Sequence, residues 1–151
     1  MSDVATAAGV ARGTLYRYFP TRRSLLDQLR ANAVEDAASR LQASRVSEVA
    51  PFDGIERVIR AFVDAGDLFV VGARERRTTA RPDFEASVML PLRQLIERGQ
   101  ATGEIRRDLD ASWLSECLLG LALGGGSAAR LGKEDTVAWI KGLFLDGARV
   151  R

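Results

Sequence analysis

The chain has no histidine among its 151 residues. Imidazole is the commonest general base near neutral pH and a common zinc ligand, so its absence counts against acid–base and zinc chemistry. Cys117 is the single cysteine. It excludes an internal disulfide, has no histidine to activate it as a nucleophile, and fits a reducing cytosol. No apolar run approaches the ~18 residues of a membrane span. The N-terminus carries Asp3 and no long apolar stretch after it, unlike a secretory leader, so a cytoplasmic protein that leaves membranes alone is expected. No alternating apolar/polar segment is long enough for a strand. The glycines at 124–126 lack the Lys-Ser/Thr that follows in a phosphate-binding loop. No enzyme activity, metal or cofactor is expected.

What is present is helical periodicity and a skewed charge. The length suits one compact domain, or a small domain fused to a larger one. Apolar residues make up 46% of the chain, enough for a core. Residues 1–30 hold five arginines (Arg12, Arg17, Arg22, Arg23, Arg30) against Asp3 and Asp27, a balance of +3. The remaining residues hold 17 basic and 18 acidic groups, a balance of −1. The positive end is where a polyanion would bind.

The expected fold is all-α. Val4, Ala5 and Ala8 make a short apolar face closed by Gly9. Arg12 to Tyr18 make a second short helix, stopped at Phe19-Pro20 because proline disfavours helix in the residue before it. Thr21 is a good N-cap for a long helix to about Arg45, with Leu25, Leu26, Leu29, Ala33, Ala37 and Leu41 on one side. Pro51 breaks the chain. Asp53 can cap the next helix, whose face is Ile55, Val58, Ile59, Phe62 and Val63. Residues 66–81 read as a short helix and a loop. A helix over 82–102 is predicted to kink at Pro91 and to end at Gly103. Asp110 caps a helix to about Leu131, and a last helix covers roughly Glu134 to Arg149. The glycines at 124–126 either break their helix or let another come close.

The first thirty residues read as a helix-turn-helix. On a wheel at ~100° per residue, Leu15 and Phe19 share the inward side. Arg17 lies opposite, near Gly13 and Thr14, with Tyr16 and Tyr18 on the flanks. Such an arc suits a major groove: Arg17 can reach guanine, Thr14 a thymine methyl, and the tyrosines phosphates on either wall. Arg12 starts the helix, where recognition helices present residues to base edges. Arg22 and Arg23 oppose the positive end of the next helix's dipole, and an anion there would resolve the conflict.

Residues 4–29, Val-Ala-Thr-Ala-Ala-Gly-Val-Ala-Arg-Gly-Thr-Leu-Tyr-Arg-Tyr-Phe-Pro-Thr-Arg-Arg-Ser-Leu-Leu-Asp-Gln-Leu, closely resemble the DNA-binding signature of the TetR family of bacterial transcriptional regulators. Gly99-Gln100-Ala101-Thr102-Gly103-Glu104-Ile105-Arg106 with Asp108-Leu109-Asp110 is similar to that family's bend before its last two helices. The resemblance implies that Arg12–Tyr18 is the recognition helix and that Thr14, Tyr16 and Tyr18 touch DNA. It places Arg22 at the position of a phosphate-binding lysine. Arg23 stands where the family often has glutamate, which implies that the usual capping box is absent. Family members also begin with a helix ahead of the helix-turn-helix. Here it is missing, and Val4, Ala8, Val10, Leu15 and Phe19 are expected to lose cover.

By the same resemblance, 1–30 is an incomplete DNA-binding domain and 31–151 a ligand-binding and dimerisation body. A pocket among the middle helices would draw on Phe62, Phe69, Phe84, Met89, Trp113 and Cys117, unless that stripe is core. Leu114, Leu118, Leu121, Val137, Ile140 and Phe144 would pair with a second copy as a four-helix bundle, unless they too are core. No charged residue there stands out as a ligand anchor. The expected function is a dimeric, ligand-responsive repressor that reads an inverted-repeat DNA operator. The alternative is a truncated helical dimer that binds a small molecule or protein partner but does not bind DNA competently.

Overall fold

The computed structural model describes residues 1–78, 82–124 and 132–150. Their only extended pairing is an isolated antiparallel bridge between Ile105 and Arg149. Helix α1 (Ser2–Ala7) ends at Gly9, whose φ of 65° is the left-handed conformation that glycine adopts at little cost. Helix α2 (Arg12–Tyr18) starts after the extended Ala11 and stops at Phe19, before Pro20. Helix α3 (Arg22–Ala43) begins at Thr21 as expected. The expected lack of a capping box is corrected, because the third helical residue is Ser24. The Ser24 amide donates to Thr21 Oγ1 at 3.0 Å, and the Thr21 amide donates back to Ser24 Oγ at 3.2 Å. Arg23 has no part in that exchange.

The predicted apolar stripe of α3 changes character along its length. Ala37 and Leu41 are buried, joined by Val34, whereas Leu25 and Leu26 are only half-buried and Leu29 is exposed. At the N-terminal end, Ala5 and Leu15 are buried against each other's helices, Phe19 is half-buried, and Val4, Ala8 and Val10 are exposed.

Helix α4 (Pro51–Thr78) starts at Pro51 itself, two residues before the predicted cap. Proline suits a first helical position because the amide it lacks has no intrahelical acceptor. Ile55, Val58, Ile59, Phe62 and Val63 are all buried, as the spacing predicted. The helix kinks at Gly66 (φ 73°, ψ −168°) and then continues to Thr78, longer than the short helix expected there. Phe62 and Phe69 stack across the kink with ring centroids 4.9 Å apart. Beyond it, Gly72 lies so close to α3 that a Cβ would sit 2.7 Å from the Arg30 carbonyl oxygen. This is the most extensive helix–helix contact of the fold.

Helix α5 (Pro82–Phe84) runs through a π turn over 85–89 into α6 (Leu90–Thr102). The Leu90 amide bonds to the Glu85 carbonyl, five residues back. The predicted disturbance at Pro91 therefore takes the form of one widened turn just ahead of it. Gly103 (φ 81°) ends α6, and the amides of Glu104 and Ile105 both donate to the Gly99 carbonyl. The Gln100 amide group ties this bend to the carbonyls of Arg106 and Leu109. Asp110 caps α7 (Ala111–Gly124) by accepting from the Trp113 amide at 3.0 Å. The rest of that predicted helix, with Gly125 and Gly126, lies outside the described residues. Helix α8 (Lys133–Ala148) closes the body against α4. Among the described residues no helix is long and apolar enough to cross a membrane.

Ion pairs lace α8 to α4: Lys141 with Glu56 at 2.5 Å, Arg60 with Glu134 at 2.6 Å, and Lys133 with Asp64 at 3.0 Å. The hydrogen bond from Lys141 holds the Glu56 carboxyl below its ordinary pKa, and that from Arg60 does the same for Glu134. Groups depressed on folding stabilise the native state fully above their unfolded pKa, and that stabilisation is lost as pH falls through the folded value.

Two outcomes are expected. Gly72→Val should lower stability by about 1–3 kcal/mol by overpacking the α3–α4 contact, measured by urea unfolding. The stability lost between pH 5 and pH 3 should be smaller in a Lys141→Met, Arg60→Met double variant, because its carboxyls no longer titrate with depressed values.

Candidate nucleic-acid interface

Two short helices and the start of a third build the N-terminal surface. Leu15 is the buried anchor of α2, so the helix can turn only one way. That orientation leaves Arg12, Gly13, Thr14, Tyr16, Arg17 and Tyr18, the sequence-predicted reading residues of this helix, exposed around it. Both tyrosines of the chain are there; Tyr18 is 66% exposed and Tyr16 37%. Each is overlaid by an arginine. The Arg12 guanidinium lies 5.5 Å from the Tyr16 ring centroid, and that of Arg17 lies 5.1 Å from the Tyr18 ring. A cation over a ring face restrains both long side chains, and Arg17 Nη2 also donates to the Tyr18 hydroxyl at 3.5 Å. The sequence reading missed these two stacks, although an arginine beside or four residues from a tyrosine is their signal. No atom lies within 4 Å of where a Gly13 Cβ would be, so the helix surface is flat and open there.

The electrostatics favour an anion. Asp27 is engaged by Arg23 at 3.8 Å and by Arg30 at 3.3 Å. Arg12, Arg17 and Arg22 have no carboxylate partner among the described residues. At the start of α3 the capping exchange uses the amides of Thr21 and Ser24, while those of Arg22 and Arg23 have no intrahelical acceptor. Two free amides and the positive end of a 22-residue helix therefore lie together, in the turn that also carries the exposed Arg22.

In the body, the residues expected at a pocket and at a dimer face lie as follows. Phe62, Phe69 and Phe84 are buried in the closed core, Met89 and Cys117 pack partly against it, and Trp113 is 56% exposed. Burial raises the Cys117 thiol pKa, so it stays protonated. A large groove lies elsewhere, between the C-terminal half of α3 and the α5–α6 segment, with a volume of about 1130 Å³. Leu114, Leu118, Val137, Ile140 and Phe144, expected at a dimer face, are buried within the single chain, and Leu121 is half-buried. Their spacing faces α4 and α6. The opposite faces of α7 and α8 expose Trp113, Trp139 (59%) and Leu143 (68%), interspersed with the exposed glycines 120, 124 and 142. The sequence signal for that stripe was the pair of tryptophans on the polar side of each helix. Among the described residues no acidic, histidine or cysteine cluster could hold a metal.

Residues 1–29 match the sequence profile of the bacterial regulatory proteins of the tetR family. The HTH-type transcriptional regulator NfxB of Pseudomonas aeruginosa is 26% identical, over 98% of this chain and 83% of its own length. The HTH-type transcriptional repressor LfrR of Mycolicibacterium smegmatis is 27% identical, over 87% of this chain and 70% of its own. The crystal structure of the TetR-like regulator LfrR from Mycobacterium smegmatis, in complex with proflavine, superimposes with a TM-score of 0.73 at 22% identity, covering 99% of this chain and 85% of that one. The N-terminal residues thus carry the helix-turn-helix module of the tetR-family regulatory proteins, and along nearly its whole length the chain is similar in sequence and fold to transcriptional regulators of that family.

Proposed function

We propose that this regulator is a dimeric, ligand-responsive repressor that acts in the cytoplasm on an inverted-repeat operator. The observation that carries the reading is the exposed face of α2, where Arg12, Thr14, Tyr16, Arg17 and Tyr18 stand around the open backbone of Gly13 beside the free amides and guanidinium of Arg22. Arg17 and Thr14 read base edges. Tyr16, Tyr18, Arg22 and Arg23 hold phosphates on either side and set the register. A relative named as a repressor supports the direction of control, and a relative solved with proflavine supports control by a small molecule.

A second copy is proposed to pack on the outward stripe of α7 and α8. Trp113, Trp139 and Leu143 supply apolar area, and glycines 120, 124 and 142 let the partner's backbone approach. Exposed tryptophans of this size on one face mark an interface more than a solvated surface. A twofold axis through this stripe repeats the reader, and two recognition helices about 34–36 Å apart enter successive major grooves.

Selection on random duplex DNA should recover an inverted repeat; enrichment of no symmetric site would overturn the operator reading. Arg22→Ala and Tyr16→Phe should weaken binding to every sequence alike, Arg22→Ala also lowering the salt slope by about one. Arg17→Ala should instead relax preference at one base pair per half-site, by roughly 1–3 kcal/mol. For the interface, Trp139→Glu with Leu143→Glu should turn the dimer into a folded monomer, as read by sedimentation and circular dichroism. A dimer that survives this pair of changes would move the interface elsewhere.

A further inference from the structure

The exposed arginines of the N-terminal surface are not held alike. Arg22, at the start of α3, has neither a carboxylate nor a ring partner among the described residues, whereas Arg17 lies over the ring of the next residue, Tyr18, at 5.1 Å. Its Nη2 also donates to the Tyr18 hydroxyl at 3.5 Å, the long end of hydrogen bonding, so the ring is the main hold. Stacking engages the flat face of a guanidinium and leaves its edge, where the N–H groups lie. Apart from the one on Tyr18, the Arg17 N–H groups have no acceptor among the described residues. Arginines of the body are spent differently. Arg98 gives its N–H groups to the carbonyls of Ser47, Val46 and Val49, and Arg107 gives its own to those of Gln100 and Ala101. Tyr18 is itself a fixed platform. It is the last residue of α2, and the following amide, that of Phe19, donates at 2.8 Å to the carbonyl of the buried Leu15.

We propose that Tyr18 is a positioning residue for sequence reading, its ring holding the donor fork of Arg17 toward one base pair. The inference rests on the base-reading role given to Arg17 above and adds the residue that aims it. Consecutive helical side chains leave the axis about 100° apart, so an arginine that leans on its neighbour has its guanidinium drawn to one side of its own direction. An unrestrained arginine at position 17 would serve phosphates on either wall as well as bases, and would lose more rotamer freedom on binding. The ring removes that choice before DNA arrives. The Tyr18 hydroxyl can donate to a phosphate while it accepts from Arg17, because a phenol does both. The contact that sets the register on the backbone thereby also sets where the fork points. The two roles have separable effects. A phosphate contact helps every duplex alike, whereas an aimed fork helps only a duplex that offers its acceptors.

The test uses the symmetric duplex that the full chain selects from random DNA, and the same duplex changed in each half-site at the base pair where Arg17→Ala loses preference. The ratio of the two affinities is the discrimination. Tyr18→Leu should lower that ratio about two- to fivefold, the worth of an exposed cation–ring contact. Its circular dichroism spectrum should not change, because the Tyr18 side chain is largely in solvent. Tyr18→Phe keeps the ring and should weaken both duplexes alike while the ratio stays. In an Arg17→Ala background, Tyr18→Leu should leave the ratio where Arg17→Ala put it. Without DNA, the Arg17 side-chain protons should resonate upfield of those of an exposed arginine, under the ring current of Tyr18, and return in Tyr18→Leu. Arg17 protons at the ordinary position in the unchanged protein, a ratio unmoved by Tyr18→Leu, or an equal fall in the Arg17→Ala background overturns the positioning role and leaves the base-reading role of Arg17 standing. A fall in Tyr18→Phe as large as that in Tyr18→Leu assigns the hold to the hydroxyl and overturns the role of the ring. No enriched duplex, or no loss of preference in Arg17→Ala, overturns the reading on which the inference rests, and the inference with it.

Discussion

The close approach of α3 to α4 is the constraint on which the rest of the structure depends. Gly72 has no side chain, and only for that reason can α4 lie against the backbone of α3 at Arg30. That contact falls in the middle of a helix with two employers. Its first turn is capped by Thr21 and Ser24 beside the recognition helix, and its far half buries Val34, Ala37 and Leu41 in the body. The segment contains neither glycine nor proline, so no built-in kink separates the two ends. A helix of 22 residues is about 33 Å long. Its position in the body therefore sets where its own first turn, beside the reader, lies.

Much of this was legible in the sequence, and the reason differs by region. The reader was legible because its signals are local: Gly9 for a left-handed turn, Pro20 for a stop, Thr21 for a cap. The apolar face of α4 was equally plain, since Ile55 to Val63 repeat at helical spacing. The two faces of α7 and α8 were confused because periodicity finds the apolar side of a helix without saying what covers it. Leu114, Leu118 and Phe144 satisfied both a dimer face and a core, and the core has first claim on the most apolar side. The outward stripe contains glycine, cysteine and tryptophan, which average to an unremarkable hydropathy. The capping box was misjudged for a narrower reason: the expectation rested on a glutamate at Arg23, whereas the geometry of a cap asks for any acceptor three residues on, and Ser24 is one.

The groove was illegible from sequence for another reason. Glu35 and Glu97, on its two walls, are 62 positions apart, on helices whose side-by-side placement only tertiary packing decides. That neither has an ion-pair partner among the described residues is still less visible. It depends on Arg98 being held by carbonyls of the turn over residues 46–49 and on Arg45 turning to Glu48. The composition near the groove is balanced, yet the charge left uncommitted is negative. At the reader the same logic runs in the opposite sense: Asp27 is taken by Arg23 and Arg30, and the uncommitted charge is positive. Net charge counts groups, whereas recognition depends on the groups that remain unpaired.

The reader and the body take opposite ends of α3, and that arrangement defines what regulation must cost. If a ligand in the body weakens DNA binding, DNA must weaken the ligand by the same factor, since coupling between two equilibria is reciprocal. Such a ligand need not be tight. A coupling of about 1–3 kcal/mol is enough to change operator affinity by roughly 5- to 150-fold. No glycine or proline interrupts α3 between its two ends, so the helix has no built-in break at which such a bias would be lost.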